Sequence, residues 1–157
     1  MGGRHSSTSW CFKLLTVEFG EIKSEHPQIE TMVPKKFTER FLNGEIEQFD
    51  FGVSFSSLEH DGLGRYGDVL NPIGDLQTMA KMLSVIKPGG FFFIGFPLRE
   101  KDEIAFNAHR YYGVLRLPKI MAGWKYIDII DQPEGQPSGV VQHLIVLQNT
   151  NGCATED

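Results

Sequence analysis

The sequence is short of cysteine, of net positive charge and of long apolar runs. Its two cysteines, Cys11 and Cys153, stand near opposite ends with neither C-x-x-C nor C-x-x-H spacing. That excludes a sequence-encoded zinc site or disulfide framework and points to a reducing compartment. Fifteen Lys plus Arg against twenty Asp plus Glu leave a net charge of −5, the wrong sign for gripping phosphate backbones or anionic lipid. Nucleic acid is therefore not an expected partner. The longest apolar run, FFFIGF at 91–96, is far shorter than the roughly 18 residues of a membrane span, and the first residues lack an apolar signal core. A soluble chain, cytoplasmic by default, is the expectation. Met1-Gly2 with Ser6 satisfies the myristoylation pattern M-G-x-x-x-[ST], which is too degenerate to carry a prediction. No Asn-x-Ser/Thr sequon occurs, so nothing in the sequence argues for secretion.

What is present suits one compact domain: 157 residues, 41% hydrophobic and 22% charged. KLLTVEF at 13–19 reads as a buried strand stopped by Gly20, and 29–33 as a second extended piece stopped by Pro34. Residues 36–42 offer a short helix ended by Asn43-Gly44. FDFGVSF at 49–55 predicts a strand, central in its sheet, with Gly52 marking a close backbone approach. A long polar, Gly-rich stretch follows at 56–74, and loops of that length in small domains tend to be functional. Asp75 is the expected N-cap of a helix carrying Leu76, Met79, Ala80, Leu83 and Ile86 at helical spacing, terminated by KPGG at 87–90. GFFFIGF at 90–96 lacks polar alternation, as expected of a strand covered by helices on both faces. Helix-like spacing recurs over 111–121, broken by Pro118. Then WKYIDII at 124–130 and VVQHLIVL at 140–147 predict two strands joined by a turn-rich segment, hence an antiparallel hairpin. The whole reads as an open α/β sheet, mostly parallel with an antiparallel C-terminal edge and no internal repeat.

Gly62-Leu63-Gly64-Arg65-Tyr66-Gly67 matches G-x-G-x-x-G, a loop that in dinucleotide sites follows its strand directly and opens the helix. Here residues 56–61 precede it and 68–74, with Pro72, separate it from the helix. The motif is therefore expected to shape the loop. Glu59, His60 and Asp61, with Asp68, Asp75 and His109, supply acid/base side chains where an α/β sheet binds ligands, beyond the carboxyl end of a strand. Their spacing fits no metal template, so no metal is expected. Arg65 and Arg110 are available to pair with these carboxylates. Glu18, at a strand end, has the geometry to accept both hydroxyls of a ribose. The aromatics Phe91, Phe92, Phe93, Phe96, Tyr111, Tyr112 and Trp124 are expected in the core.

Taken together, FDFGVSFSSLEHDGLGRYGD, the helix ending in SVIKPGGFFFIGFP, and the closing strand pair resemble the C-terminal half of class I S-adenosylmethionine-dependent methyltransferases. The strings TVEFGEIKSEHPQIET, LEHDGLGRYGDVLNPIGD and FNAHRYYG look like the nematode-rich family called domain of unknown function 268. The resemblance covers about Leu15 to Ile130 and implies a Rossmann-like, methyltransferase-type open sheet. It implies that Glu18 holds the cofactor ribose, that Ser54, Phe55 and Leu58 line the cofactor pocket, and that His60 lies at its lip. The methyltransferase pattern also has a first strand and a Gly-rich loop ahead of the acidic strand, whereas only MGGRHSSTSWCFK stands there.

These readings define the expectations. Residues 13–148 form one methyltransferase-like domain lacking its first strand and Gly-rich loop, with 1–12 and 149–157 as flexible tails. The function is S-adenosylmethionine-dependent methyl transfer to a small molecule or glycan, with Glu59, His60, Asp61 and His109 as catalytic candidates. The alternative is a non-catalytic binding module, a pseudoenzyme, using the 56–74 loop as its contact surface. A weaker alternative is a metal-dependent hydrolase built on Glu59, His60, Asp61 and His109. A sheet without its first strand exposes an edge through which copies could associate.

Overall fold

The computed structural model describes residues 13–130 and 142–151. Cys11, Cys153, the Gly2 pattern and the whole turn between the last two predicted strands lie outside the described residues. The chain divides into two compact units, one up to Glu47 and one from Gln48.

In the first unit, β1 (Leu14–Val17) and β2 (Ile29–Met32) pair in parallel, with Leu14 opposite Ile29 and Val17 opposite Met32. Pro34 then opens α1 (Pro34–Leu42), where its fixed φ and missing N–H suit the first helical turn. Phe37 is the buried residue of α1 and stacks on Phe41 at 5.8 Å. The expectation of a buried first strand is corrected, since Leu14 and Val17 are both exposed.

The second unit holds β3 (Phe49–Phe55), α2 (Gly74–Val85), β4 (Ile86–Gly95), β5 (Glu103–Ile104), β6 (Arg110–Tyr111), α3 (Leu117–Ile120), β7 (Trp124–Ile130) and β8 (Leu144–Asn149). Its main sheet has the order β3-β4-β8-β7, with β3 parallel to β4 and both other pairings antiparallel. Thus β7 and β8 form the predicted hairpin, while β8 inserts beside β4. The small β5-β6 pair stands apart. Among the described residues no helix is long and apolar enough to cross a membrane.

One face of this sheet carries the core. Phe92, Ile94, Ile145, Leu147 and Trp124 pack with Met79 of α2 and Ile120 of α3. The other face carries Phe51, Val53, Phe55 and Phe91, all exposed. Within this unit α2 and α3 pack on the first face, where the apolar run of β4 led to the expectation of helices on both. The central position of β3 is corrected, since in this sheet it pairs with β4 alone. Of the aromatics assigned to the core, Phe92, Phe96, Tyr112 and Trp124 are there, whereas Phe91 is not. Gly52 does mark a close approach: a Cβ there would stand 3.1 Å from Ile86 and 3.2 Å from Phe92.

Two helix expectations also change. Asp75 lies inside α2 instead of capping it, because Ile73 is the N-cap and the Asp75 carboxylate is drawn inward to two arginines and a tyrosine. The periodic stretch 111–121 yields helix only at Leu117–Ile120. The preceding backbone is held open by Asp102, whose carboxylate accepts the N–H groups of Gly113, Leu115 and Arg116 at 2.9, 2.9 and 3.0 Å. Pro118 sits in the first turn of α3, where its absent donor costs nothing.

Candidate functional site

Strand β3 ends at Phe55, and Ser56 continues its ladder by donating its N–H to the Gly95 carbonyl at 2.9 Å. Ser56 has φ +51°, a left-handed backbone that is unusual for a residue with a Cβ and that clusters at functional sites. This turn feeds a single 3-10 turn, Leu58–His60. Leu58 plugs into the core at 2% exposure, which fixes Glu59, itself 1% exposed, and His60 beside it.

Around Glu59 the polar groups converge. Its Oε1 accepts from the Ser56 hydroxyl at 3.0 Å and from Gln142 Nε2 at 3.4 Å, while Gln142 Nε2 also donates to Ser56 Oγ at 3.2 Å. The His60 Nε2 lies 3.9 Å from Glu59 Oε1. Glu59 Oε2 is buried with no hydrogen-bond partner among the described residues. His60 Nδ1 meets the Ala108 carbonyl at 2.7 Å, so Nδ1 carries a proton that it donates to that carbonyl. The His60 ring meets Tyr66 and His109 edge-on at 5.3 and 5.9 Å. Burial pushes the His109 pKa below the ordinary histidine value, against the opposing pull of the Glu59 charge. Its Nε2 is also buried without a partner among the described residues.

Of the four acid/base candidates, the fold brings Glu59, His60 and His109 together. It turns the Asp61 carboxyl toward Thr78 of α2, where burial raises its pKa above the usual carboxylate range. Asp68 and Asp75 are committed elsewhere. Asp68 Oδ2 accepts the N–H groups of Gly62 and Gly64 at 2.7 and 3.2 Å, and its Oδ1 that of Tyr66 at 3.3 Å. The G-x-G-x-x-G backbone thus wraps a carboxylate of its own chain, the loop-shaping role expected from its spacing. Arg110, 2% exposed, lies 3.7 Å from Asp75 and donates to the Asp61 carbonyl at 2.6 Å. Arg65 instead reaches the Asn107 carbonyl at 2.8 Å, tying the 61–74 loop to the segment that bears His109.

The cofactor candidates are distributed differently. Glu18 follows β1, donates its N–H to the Met32 carbonyl at 3.1 Å, and is exposed with its carboxylate on the Phe19 N–H. Ser54 and Phe55 project to opposite faces at the carboxyl end of β3. Phe55 lies on the uncovered face, over Gly95, where a Cβ would meet its ring at 2.4 Å. Leu58 packs in the core. Sequence reasoning missed Ser56 and Gln142, because a serine after a strand and a glutamine beginning another carry no pattern. It also missed Arg116 and Tyr112 as partners of Asp75. Among the described residues no group of three or more His, Cys, Asp or Glu is arranged to hold a metal ion.

A family model described as "Caenorhabditis protein of unknown function, DUF268" matches residues 8–153. No curated protein matches the sequence. Among solved structures the chain is similar to 1,6-didemethyltoxoflavin-N1-methyltransferase from Burkholderia thailandensis, with bound 1,6-didemethyltoxoflavin and S-adenosylhomocysteine. Identity is 14%, the TM-score 0.55, and the match covers 88% of this chain and 62% of that one. It is similar also to the N-methyltransferase NodS from Bradyrhizobium japonicum WM9, at 12% identity and TM-score 0.51, over 88% of this chain and 85% of that one. TehB from Haemophilus influenzae matches at 13% identity and TM-score 0.47, over 77% of this chain and 41% of that one. The chain therefore spans less than two thirds of the length of two of these three. The first two likenesses establish a methyltransferase-like α/β fold.

Proposed function

This chain belongs to the Caenorhabditis family DUF268, and on that premise we propose that it binds S-adenosylmethionine and transfers the methyl group to a small molecule. The observation that carries the reading is the cluster of buried Glu59 with half-buried His60 and His109, incompletely paired among the described residues, just beyond the carboxyl end of parallel strand β3, where open α/β sheets bind ligands. The exposed Glu18 carboxylate, also beyond the end of a parallel strand, has the two acceptor oxygens that a ribose diol requires. In this reading Ser54 and Phe55 flank the cofactor, and Leu58 shapes the wall from beneath. S-adenosylmethionine, when bound, supplies an electrophilic methyl group.

The residues of the cluster divide the remaining work. His109 stays neutral near pH 7 because burial lowers its pKa, so it is ready to take a proton from the methyl acceptor. Glu59 stabilises the imidazolium formed there. His60, held by the Ala108 carbonyl, orients the wall between them, and Asp61 supports the loop through Thr78.

The test is thermal unfolding with and without S-adenosylmethionine or S-adenosylhomocysteine, because a ligand that binds only the native state raises the midpoint. A saturable rise is expected. A cooperative transition that does not move would sink the reading. A second reading, a non-catalytic binding module, draws support from the exposed Tyr66, Val69 and Leu70 on the 56–74 loop. Alanine changes at Arg65, Tyr66 and Asp68 that left every partner interaction intact would count against it.

A further inference from the structure

The acceptors gathered around Glu59 are short of donors. Among the described residues Glu59 Oε2, Gln142 Oε1 and His109 Nε2 are all buried without a hydrogen-bond partner, and no Lys or Arg pairs with the Glu59 carboxylate. A buried carboxylate left half-satisfied is costly, more so than a neutral group, and each such atom in a native fold calls for a reason. Of the donors that Glu59 does have, Gln142 Nε2 is weakly held, 3.4 Å from Oε1. Ser56, which donates the shortest of these bonds, is itself held in a strained left-handed conformation.

We propose that the Ser56, Glu59, His109 and Gln142 cluster binds a primary amino group, so that the methyl acceptor is an amine. This rests on the methyl-transfer reading and names its substrate class. A hydroxyl brings one donor and no charge. An ammonium brings three N–H donors and the positive charge that the buried carboxylate lacks, and it displaces Gln142 Nε2 from Glu59 Oε1. The ammonium gives one proton to the unpaired Nε2 of His109. The freed nitrogen lone pair forms the N–C bond to the methyl carbon as the C–S bond breaks, with the bonding pair staying on sulfur. The products are a secondary ammonium and a neutral thioether.

The experiment measures the unfolding midpoint of the 157-residue chain with ethylammonium, tetramethylammonium and ethanol at matched ionic strength, on wild type and on Glu59→Gln. Ethylammonium should raise the wild-type midpoint saturably, while tetramethylammonium, a cation with no N–H, and ethanol should not. Glu59→Gln should weaken the apparent affinity for ethylammonium about tenfold or more, equivalent to about 1.4 kcal/mol. Equal shifts with tetramethylammonium or ethanol would overturn the proposal, as would undiminished affinity in Glu59→Gln. If that variant fails to fold, the wild-type comparison of the two cations decides alone. A midpoint raised by S-adenosylhomocysteine but not by ethylammonium overturns the amine site and spares methyl transfer. The reverse result supports the amine site and counts against methyl transfer.

Discussion

The Tyr112 hydroxyl donates to Asp75 Oδ2 across 3.0 Å, with both side chains at 0% exposure. Arg116 grips the same carboxylate through Nε at 2.8 Å and through Nη2, and Arg110 approaches it at 3.7 Å. Burial, followed by the Asp75 charge, pushes the Tyr112 pKa far up, so the phenol remains a donor. This network joins α2 to the segment between β6 and α3. Removing one partner of a buried ion pair costs about 3–5 kcal/mol, because the other charges stay buried without it. Asp75→Asn should lose that much stability in urea unfolding. Tyr112→Phe, which removes a single hydrogen bond, should lose about 1–2 kcal/mol.

Asp61 should behave in the opposite sense. Its folded pKa lies above the unfolded value, chiefly through burial, so the fold disfavours its ionised form. Stability contributed by Asp61 therefore falls as pH rises through that window, and is recovered below the unfolded value of about 4. Asp61→Asn should have a higher melting midpoint than wild type at neutral pH, with the difference closing under acid. Midpoints measured across the acid range check it. An Asn variant less stable than wild type at neutral pH would contradict the account.

Asp102 and Asp68 supply the acid limb of the stability profile. Both have folded pKa values lowered by backbone N–H groups, for Asp102 chiefly that of Gly113, and for Asp68 those of Gly64, Tyr66 and Gly62 acting against desolvation. Their contribution is complete above the unfolded value and is lost as pH falls through the folded one. Asp102→Asn should destabilise the chain at neutral pH and flatten the acid-induced fall, as read by denaturation at successive pH values.

His109 should titrate below the usual histidine value in wild type, because burial outweighs the Glu59 charge. Glu59→Gln removes that charge and should lower the His109 pKa further. Imidazole resonances followed against pH measure both. An unchanged His109 pKa in the variant would show that the two groups do not communicate.

Gly62 has φ +74°, and a Cβ there would stand 2.1 Å from the Asn71 carbonyl oxygen. Gly62→Ala should therefore combine backbone strain with a contact to main chain that cannot turn aside. A loss of about 2–4 kcal/mol is expected in urea unfolding. Gly67 also has positive φ but open space around it, so Gly67→Ala should cost less.

Much of the fold was legible because its signals are local. FDFGVSF at 49–55 is β3 residue for residue, and the periodic stretch after Asp75 is α2. The β7-β8 hairpin follows from two apolar runs around a turn-rich segment. The site was legible in part: Glu59, His60 and His109 carry the right chemistry, yet Asp61 shares it and points toward Thr78. Residue type says what a side chain can do, and spacing along an irregular loop does not say where it points.

The sequence by itself determined the element types, the sheet class and the family, because hydrophobic period, turn residues and helix stops act over a few positions at a time. Only the tertiary structure decided which carboxylate is spoken for. Asp68 is enclosed by backbone N–H groups and Asp75 by two guanidinium groups and a phenol, while Glu59 is buried with one oxygen unpaired among the described residues. That difference depends on groups up to 83 positions away in sequence. Electrostatic pairing and desolvation are set by distance through space, which no local pattern encodes.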